Sequence, residues 1–523
     1  MDRKWGTLLT VCVGTFMLLL DITIVNVALP AIQRHLHATF SDLQWVVDAY
    51  ALTLATCVLT AGSLADLFGR KRLFIIGIIL FTAASAACGA ANDPLFLIIA
   101  RALQGIGAAL LVPGSLAILS ASFPEAERGR AIGTWSGFTG ITTALGPVLG
   151  GWLIDHASWR WAFLLNLPLA AMVLWLARSH VPETRNPEQR GLDWIGATLA
   201  TFALGATVYA LLSSSTRGLT NAVVLGALAA GVACSIAFWI VEQHARAPML
   251  PLSLFRSRDF TGANLLTLLL YAALGGGLYF LPLNLIQVQG YSTTAAGAAL
   301  LPFIGIMFAL SRWSGGLIQR TGAKLPLTVG PIIAAGGFAL LALPGIGGEY
   351  SRTFFPGIAV LGLGMAISVA PLTTTVMSSV PRELAGMASG VNNAVSRTAG
   401  LLAIAVLGVV MLQIFDRNFE PRLATSDLPQ EARRVIEQGR HKLTAAALPS
   451  WLTPAQRAAV EHDLAWSYVA GFRTVMLVSA GLAVGGAVAA LLLIGGRTPR
   501  RPGTVKPGTS TTVASSNAVS SGG

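Results

Sequence analysis

Fourteen apolar runs of roughly 18 to 25 residues, separated by short polar segments, limit what this chain can fold into. They lie near residues 7–29, 44–65, 73–91, 95–119, 132–154, 161–179, 194–212, 221–241, 260–286, 295–317, 325–344, 353–377, 390–414 and 467–494. Each is long enough to cross the hydrocarbon layer as a helix, and backbone facing lipid must satisfy its own hydrogen bonds. The expected fold class is therefore an all-α polytopic membrane protein. Composition agrees: 54% of residues are hydrophobic and 11% charged, against about a quarter charged in soluble domains. The first run follows Arg3 and Lys4 as a signal peptide would, but it is too long and lacks a small-x-small cleavage site, so a retained first span is expected.

The net charge of +12 does not mark a nucleic-acid binder, because the basic residues are spread over short loops between apolar runs. An even number of spans puts both termini on one side. Placing the N-terminus in the cytoplasm gathers Arg70, Lys71, Arg72, Arg128, Arg130, Arg178, Arg256, Arg258, Arg320, Lys324 and others there, and leaves Arg34, Arg160, Arg217 and Arg352 in short outer loops. The long outer segment 415–466 counts little for orientation and is expected to hold short surface helices. Cys12, Cys57, Cys88 and Cys234 all fall within apolar runs without metal-ligand spacing and read as small core residues.

Among the 23 acidic residues, Asp21 alone sits near the middle of a long apolar run. A carboxylate there must take a proton, pair with a cation or face water, which makes it a functional candidate by default. At about 1.5 Å of rise per residue, Asp21 lies about 12 Å from the outer end of its helix, Arg101 about 9 Å and Asp48 about 6 Å. The three are expected to face one outer vestibule, with the two acids as candidate partners of Arg101; Asp48 fits an interfacial position equally well. In this setting a cationic substrate would stabilise the Asp21 carboxylate and expel its proton, and protonation would expel the substrate.

The segment Gly62 to Arg72, GSLADLFGRKR, closes the second span. Its glycines, Gly62 and Gly69, permit a tight turn and close helix approach, and Asp66 lies one helical turn before Arg70, with Lys71 next. Asp66 at such a helix end is placed to cap a neighbouring helix and hold a gate shut; the same segment reads equally as a basic topogenic loop. Gly62, Gly69 and Lys71 recur as Gly315, Gly322 and Lys324 after the tenth span. Two six-helix halves, 1–180 and 260–496, with two inserted spans in 181–259, account for that echo. The tail 497–523, rich in Gly, Ser, Thr and Pro, is expected to be disordered.

The segment from Gly62 resembles the signature loop of the major facilitator superfamily, with Leu67 where Arg is usual. LDITIVNVALP, Leu20 to Pro30, looks like the first-helix motif of the fourteen-helix drug:proton antiporters of the EmrB/QacA type. Arg101, Gln104, Gly105 and Gly107 resemble their fourth-helix motif. Gly146, Pro147, Gly150 and Gly151 match their fifth-helix antiporter motif, with Thr142 in place of an earlier glycine, and WRWAFLLNLP, Trp159 to Pro168, resembles the segment that follows it. The resemblance implies a proton-coupled efflux transporter of small amphipathic or cationic substrates in a bacterial inner membrane. It implies no cofactor, a monomer and, where an outer membrane exists, a periplasmic adaptor. Asp21, Arg101 and Asp48 would serve proton coupling, and the glycine motifs gating.

Trp45, Tyr50, Trp135, Phe138, Tyr271 and Tyr279 are candidates for lining the cavity, although aromatic residues in such spans also pack on neighbours or lipid. Asn264, Asn284, Asn392 and Asn393 either line the cavity or join helices. Gly275, Gly276 and Gly277 would loosen the ninth span. Arg397, taken at the inner end of the thirteenth span, is expected at the gate or against lipid phosphate. An uptake symporter of the same fold is the alternative function. A membrane-embedded enzyme is disfavoured because the seven histidines lie in loops or at span ends and no nucleophile or metal motif emerges. No Walker loop is present, which argues against ATP-driven pumping.

Overall fold

The computed structural model describes residues 2–38, 40–185, 193–218, 220–245, 248, 252–426, 428–439, 448–449 and 451–495. The expected tail 497–523 lies outside them. The chain runs through α1 (Arg3–Leu36), α2 (Phe40–Phe68), α3 (Arg70–Ala90), α4 (Pro94–Ser122), α5 (Glu125–His156), α6 (Trp161–Leu164) and α7 (Asn166–His180). Then come α8 (Trp194–Arg217), α9 (Ala222–His244), α10 (Arg258–Gln287), α11 (Thr293–Ala298), α12 (Leu301–Gly315), α13 (Leu317–Thr321) and α14 (Lys324–Leu341). It ends with α15 (Phe355–Ser378), α16 (Ala385–Thr425), α17 (Gln430–Gly439) and α18 (Pro454–Leu493). Among the described residues, 13 helical stretches are long and apolar enough to cross a membrane, with α6–α7 and α11–α12 each making one. The fifth expected span falls in the 32-residue helix α5.

Helix starts follow local chemistry. Asp93 caps α4 by accepting the Phe96 amide at 2.9 Å, with Pro94 at the first turn. Ser257 caps α10, and Thr453 with Gln456 forms a capping box on α18. Prolines inside α4, α10, α14 and α15 are tolerated because neighbouring helices enclose them.

The buried apolar residues fall mainly into clusters within each half, although the larger one also takes in Leu59 of α2 and Ala197 of α8. Leu8, Val11, Phe74, Phe81, Leu111 and Val173 build one within α1–α7, whereas Phe260, Leu266, Phe338, Leu361, Leu407 and Phe472 build another from α10 onward. Helix α10 runs unbroken through Gly275 to Gly277, where these glycines admit Gly400, Leu407 and Phe338 as close neighbours. The inserted helix α8 lies against α2, where Thr60 and Thr201 share a 3.0 Å hydrogen bond and Trp45 stacks on Tyr209.

The segment 415–466 departs from the expected loop. Helix α16 continues to Thr425 and α18 already begins at Pro454, because Phe415, Phe419 and Leu423 bury against Val460 and Leu464. Among the described residues of this segment, only α17 is a short surface helix, seated by Ala432 and Ile436.

Candidate functional site: a buried ion pair and a helix seam

Asp21 on α1 and Arg101 on α4 are each 1% exposed and form an ion pair, Nη1 to Oδ2, at 2.6 Å. Burying two charges costs several kcal/mol per ion unless every lone pair and proton is used. Here the surrounding helices use them. Gln104 donates to Asp21 Oδ1 at 2.8 Å and accepts from Arg101 at 2.7 Å. Asn166, at the start of α7, donates to the same Oδ1 at 2.9 Å and to Ser85 Oγ at 2.9 Å, and Ser85 donates to the Phe163 carbonyl. Arg101 Nε donates to the Val46 carbonyl at 3.1 Å, and its guanidinium lies 4.3 Å from the centre of the Tyr50 ring. Two other helices, α4 and α7, thus hold the carboxylate of α1, and α2, α3 and α6 complete the network around them.

The expected outer vestibule is not what this conformation shows. Asp21 and Arg101 are sealed inside the first half, where Gln104 and Asn166 supply the hydrogen bonds that water would supply in a cavity. Asp48, half-buried on α2, is not among the hydrogen-bond acceptors of Arg101. Gly146 and Gly150 of the fifth-helix motif pack directly on Thr23 and Ile24, the α1 residues next to Asp21. Their lack of side chains lets α5 approach the helix that carries the carboxylate. The surroundings of Pro147 and Gly151 lie outside what is described.

The second cluster closes the face of the molecule where the chain begins. Asp66, fully buried at the end of α2, accepts the amides of Gly386 at 3.2 Å and Met387 at 2.9 Å, the first turn of α16. A carboxylate at a helix N-terminus meets unpaired N–H groups and the positive end of the dipole. Arg70 pairs with Asp66 at 2.8 Å and donates to the Glu383 carbonyl at 3.0 Å. Gly62 matters because a Cβ there would stand 2.6 Å from the Gly386 carbonyl oxygen. Gly69 takes φ 110° at the start of α3, a value suited to glycine. Lys71 donates through its backbone N–H to Glu183 at 3.1 Å and through Nζ to the Arg178 carbonyl at 3.1 Å.

The echo of this loop closes a second seam. Gly315 at the end of α12 backs onto Gly129 of α5, and Ser311 donates to the Gly133 carbonyl at 2.6 Å. Leu116, Ala117, Ile132, Met377 and Ala385 bury together between the halves at the same level.

The remaining candidates divide. Tyr50 is 3% exposed beneath Arg101, whereas Trp45, Phe138 and Tyr279 are exposed. Trp135 is half-buried and donates to Thr15 Oγ1 at 2.8 Å, and Tyr271 is half-buried against the second-half core. Asn392 joins helices, donating to Thr267 at 2.8 Å and Asn264 at 3.2 Å. Asn166, Ser85 and Glu183 were not singled out from the sequence. Asn166 had a signal, since it is the one amide within WRWAFLLNLP; Ser85, one small residue among many, had none.

The sequence matches the model of the Major Facilitator Superfamily over residues 11–404. The chain belongs to the major facilitator superfamily. Multidrug resistance protein Stp of Mycobacterium tuberculosis is 39% identical over 434 residues, covering 82% of this chain and 80% of that protein. The tetracenomycin C resistance and export protein of Streptomyces glaucescens is 35% identical over 499 residues, covering 94% and 91%. In fold, this member of the superfamily resembles the proton:xylose symporter XylE, with a TM-score of 0.58 at 14% identity over 93% of this chain and 95% of that one. It also resembles the human organic anion transporter MFSD10, with a TM-score of 0.60 at 15% identity over 92% and 100%. The chain is a multi-pass membrane transporter, not an enzyme.

Proposed function

We propose that this transporter exports small amphipathic compounds across a bacterial cytoplasmic membrane in exchange for protons, with both termini in the cytoplasm. The observation that carries the reading is the sealed carboxylate Asp21, held by Arg101, Gln104 and Asn166. Protonation removes the charge that Arg101 neutralises, so the whole network loses its reason to close. Two arrangements of one half follow, one paired and one protonated. A substrate that favours the paired arrangement expels the proton by linkage, without touching Asp21.

Asp66 supplies the mechanical side. With the N-terminus in the cytoplasm, its contacts to α16 shut the cytoplasmic face, and breaking them lets the halves rock apart. The relatives named for drug resistance and for export support efflux over uptake. XylE shares the fold at 14% identity, which says nothing of direction.

The test is extrusion by cells expressing the full chain, with tetracenomycin C, puromycin and methylenomycin A, the compounds in the relatives' names, as probes. Export of at least one should collapse when nigericin dissipates the proton gradient. Accumulation inside energised cells would support the uptake alternative instead.

A further inference from the structure

Helices α2 and α16 run antiparallel along the seam between the halves, and their register can be counted. Gly62 meets Gly386, and Gly390 lies against Val58 and Leu59. Continuing in the same steps, Tyr50 on α2 comes level with Arg397 on α16, each about 18 Å from the closed gate. The two side chains lie within range of each other's charge, in keeping with that register.

Arg397 is therefore not at the inner end of its helix. The apolar run begins near residue 390, but the helix begins at Ala385 with small and polar residues that hydropathy passes over. Its depth puts it beyond the reach of lipid phosphate in a hydrocarbon layer about 30 Å thick.

Two features at this level are unsatisfied. Arg397 keeps accessible surface and makes no hydrogen bond or ion pair with any described residue. The Tyr50 hydroxyl is buried and has no hydrogen-bond partner among the described residues. A buried hydroxyl and an intramembrane guanidinium each demand a partner, and both offer N–H or O–H donors. What is missing is an acceptor, and for the guanidinium a negative one.

We propose that Tyr50 and Arg397 form a substrate subsite for the oxyanion of an amphipathic acid, a carboxylate on an aromatic or apolar body. The acid group takes the fork of Arg397 and the Tyr50 proton, a charge-assisted pairing, and the body packs between the halves. This deepens the efflux reading by naming a substrate class among the expected amphipathic or cationic compounds, and it sets aside a cation paired with Asp21, since that carboxylate is already consumed by Arg101. A membrane potential negative inside favours export of such an anion. The proposal rests on the efflux reading only for the direction of movement; the subsite itself is read at equilibrium.

The test uses the purified full chain in phosphatidylcholine nanodiscs, without a gradient, and two probes with one fluorophore: pyrenebutyrate and its methyl ester. Wild type should bind the acid about tenfold more tightly than the ester. Arg397→Gln should abolish that preference while leaving ester binding within about twofold, Arg397→Lys should restore part of it, and Tyr50→Phe should reduce it about threefold. The lysine variant shows whether loss in Arg397→Gln is one of charge or of folding. Equal binding of acid and ester by wild type, or a preference that survives Arg397→Gln, overturns the subsite. Loss of proton-driven export with the preference intact would instead overturn the efflux reading alone.

Discussion

The network around Asp21 and the seam between the halves treat buried polar groups in different ways. Around Asp21, the carboxylate, guanidinium and three polar side chains from α1, α3, α4 and α7 find partners at 2.6–2.9 Å. Along the seam, polar closure rests on a few contacts at one end, those of Asp66, Arg70 and Ser311, while Tyr50 and the Gln319 amide nitrogen lack hydrogen-bond partners among the described residues. A saturated network is stiff and has one good arrangement, whereas a seam with spare donors can close on a ligand or open without losing much. The difference suggests a division of labour, with the proton held inside one half and motion and substrate at the seam.

The sharpest way to break that division is at the ion pair. Asp21→Asn leaves Arg101 buried without its counter-charge and should lower stability by roughly 3–5 kcal/mol. Chemical denaturation of the purified chain checks this, and Asp21→Asn with Arg101→Gln should recover at least half of the loss. Additive losses would mean the pair is not a unit.

At the seam, smaller effects on stability and larger ones on conformation are expected. Asp66→Asn removes the charge on the first turn of α16 and should shift the equilibrium toward an open N-terminal face by about 2 kcal/mol, roughly thirtyfold. Spin labels at Arg130 and Arg320, both exposed beside the α5/α12 seam, would report the change as a longer distance population. Gly62→Ala forces a methyl toward the Gly386 carbonyl and should shift the same distribution by about 1 kcal/mol. An unchanged distribution in both variants would show that these contacts do not hold the face shut.

The smallest effect is expected where an amide only joins helices. Asn392→Ala loses its bonds to Asn264 and Thr267 and should cost about 1 kcal/mol, read as a modest drop in melting temperature.

The spans were legible because the bilayer demands long apolar runs, and the echo from Gly62 to Gly315 was legible because both seams need backbone contact. Asp21 and Arg101 stood out because charge in hydrocarbon is costly. Two things were hidden. Depth counted along separate helices could not say whether Asp21 and Arg101 faced water or each other, since that depends on α7 supplying Asn166 from the far side of the bundle. Hydropathy also misplaced Arg397, because small residues from Ala385 to Ser389 extend the helix without raising its apolar signal.

The central claim is that Asp21 carries the proton exchanged for substrate. Energised inverted vesicles report it directly through a fluorescent proton-gradient dye as tetracenomycin C, puromycin or methylenomycin A is added. Wild type should release protons on addition of at least one compound, and Asp21→Asn, present at an equal amount in the membrane, should release none. Substrate-induced release that persists unchanged in Asp21→Asn would contradict the account.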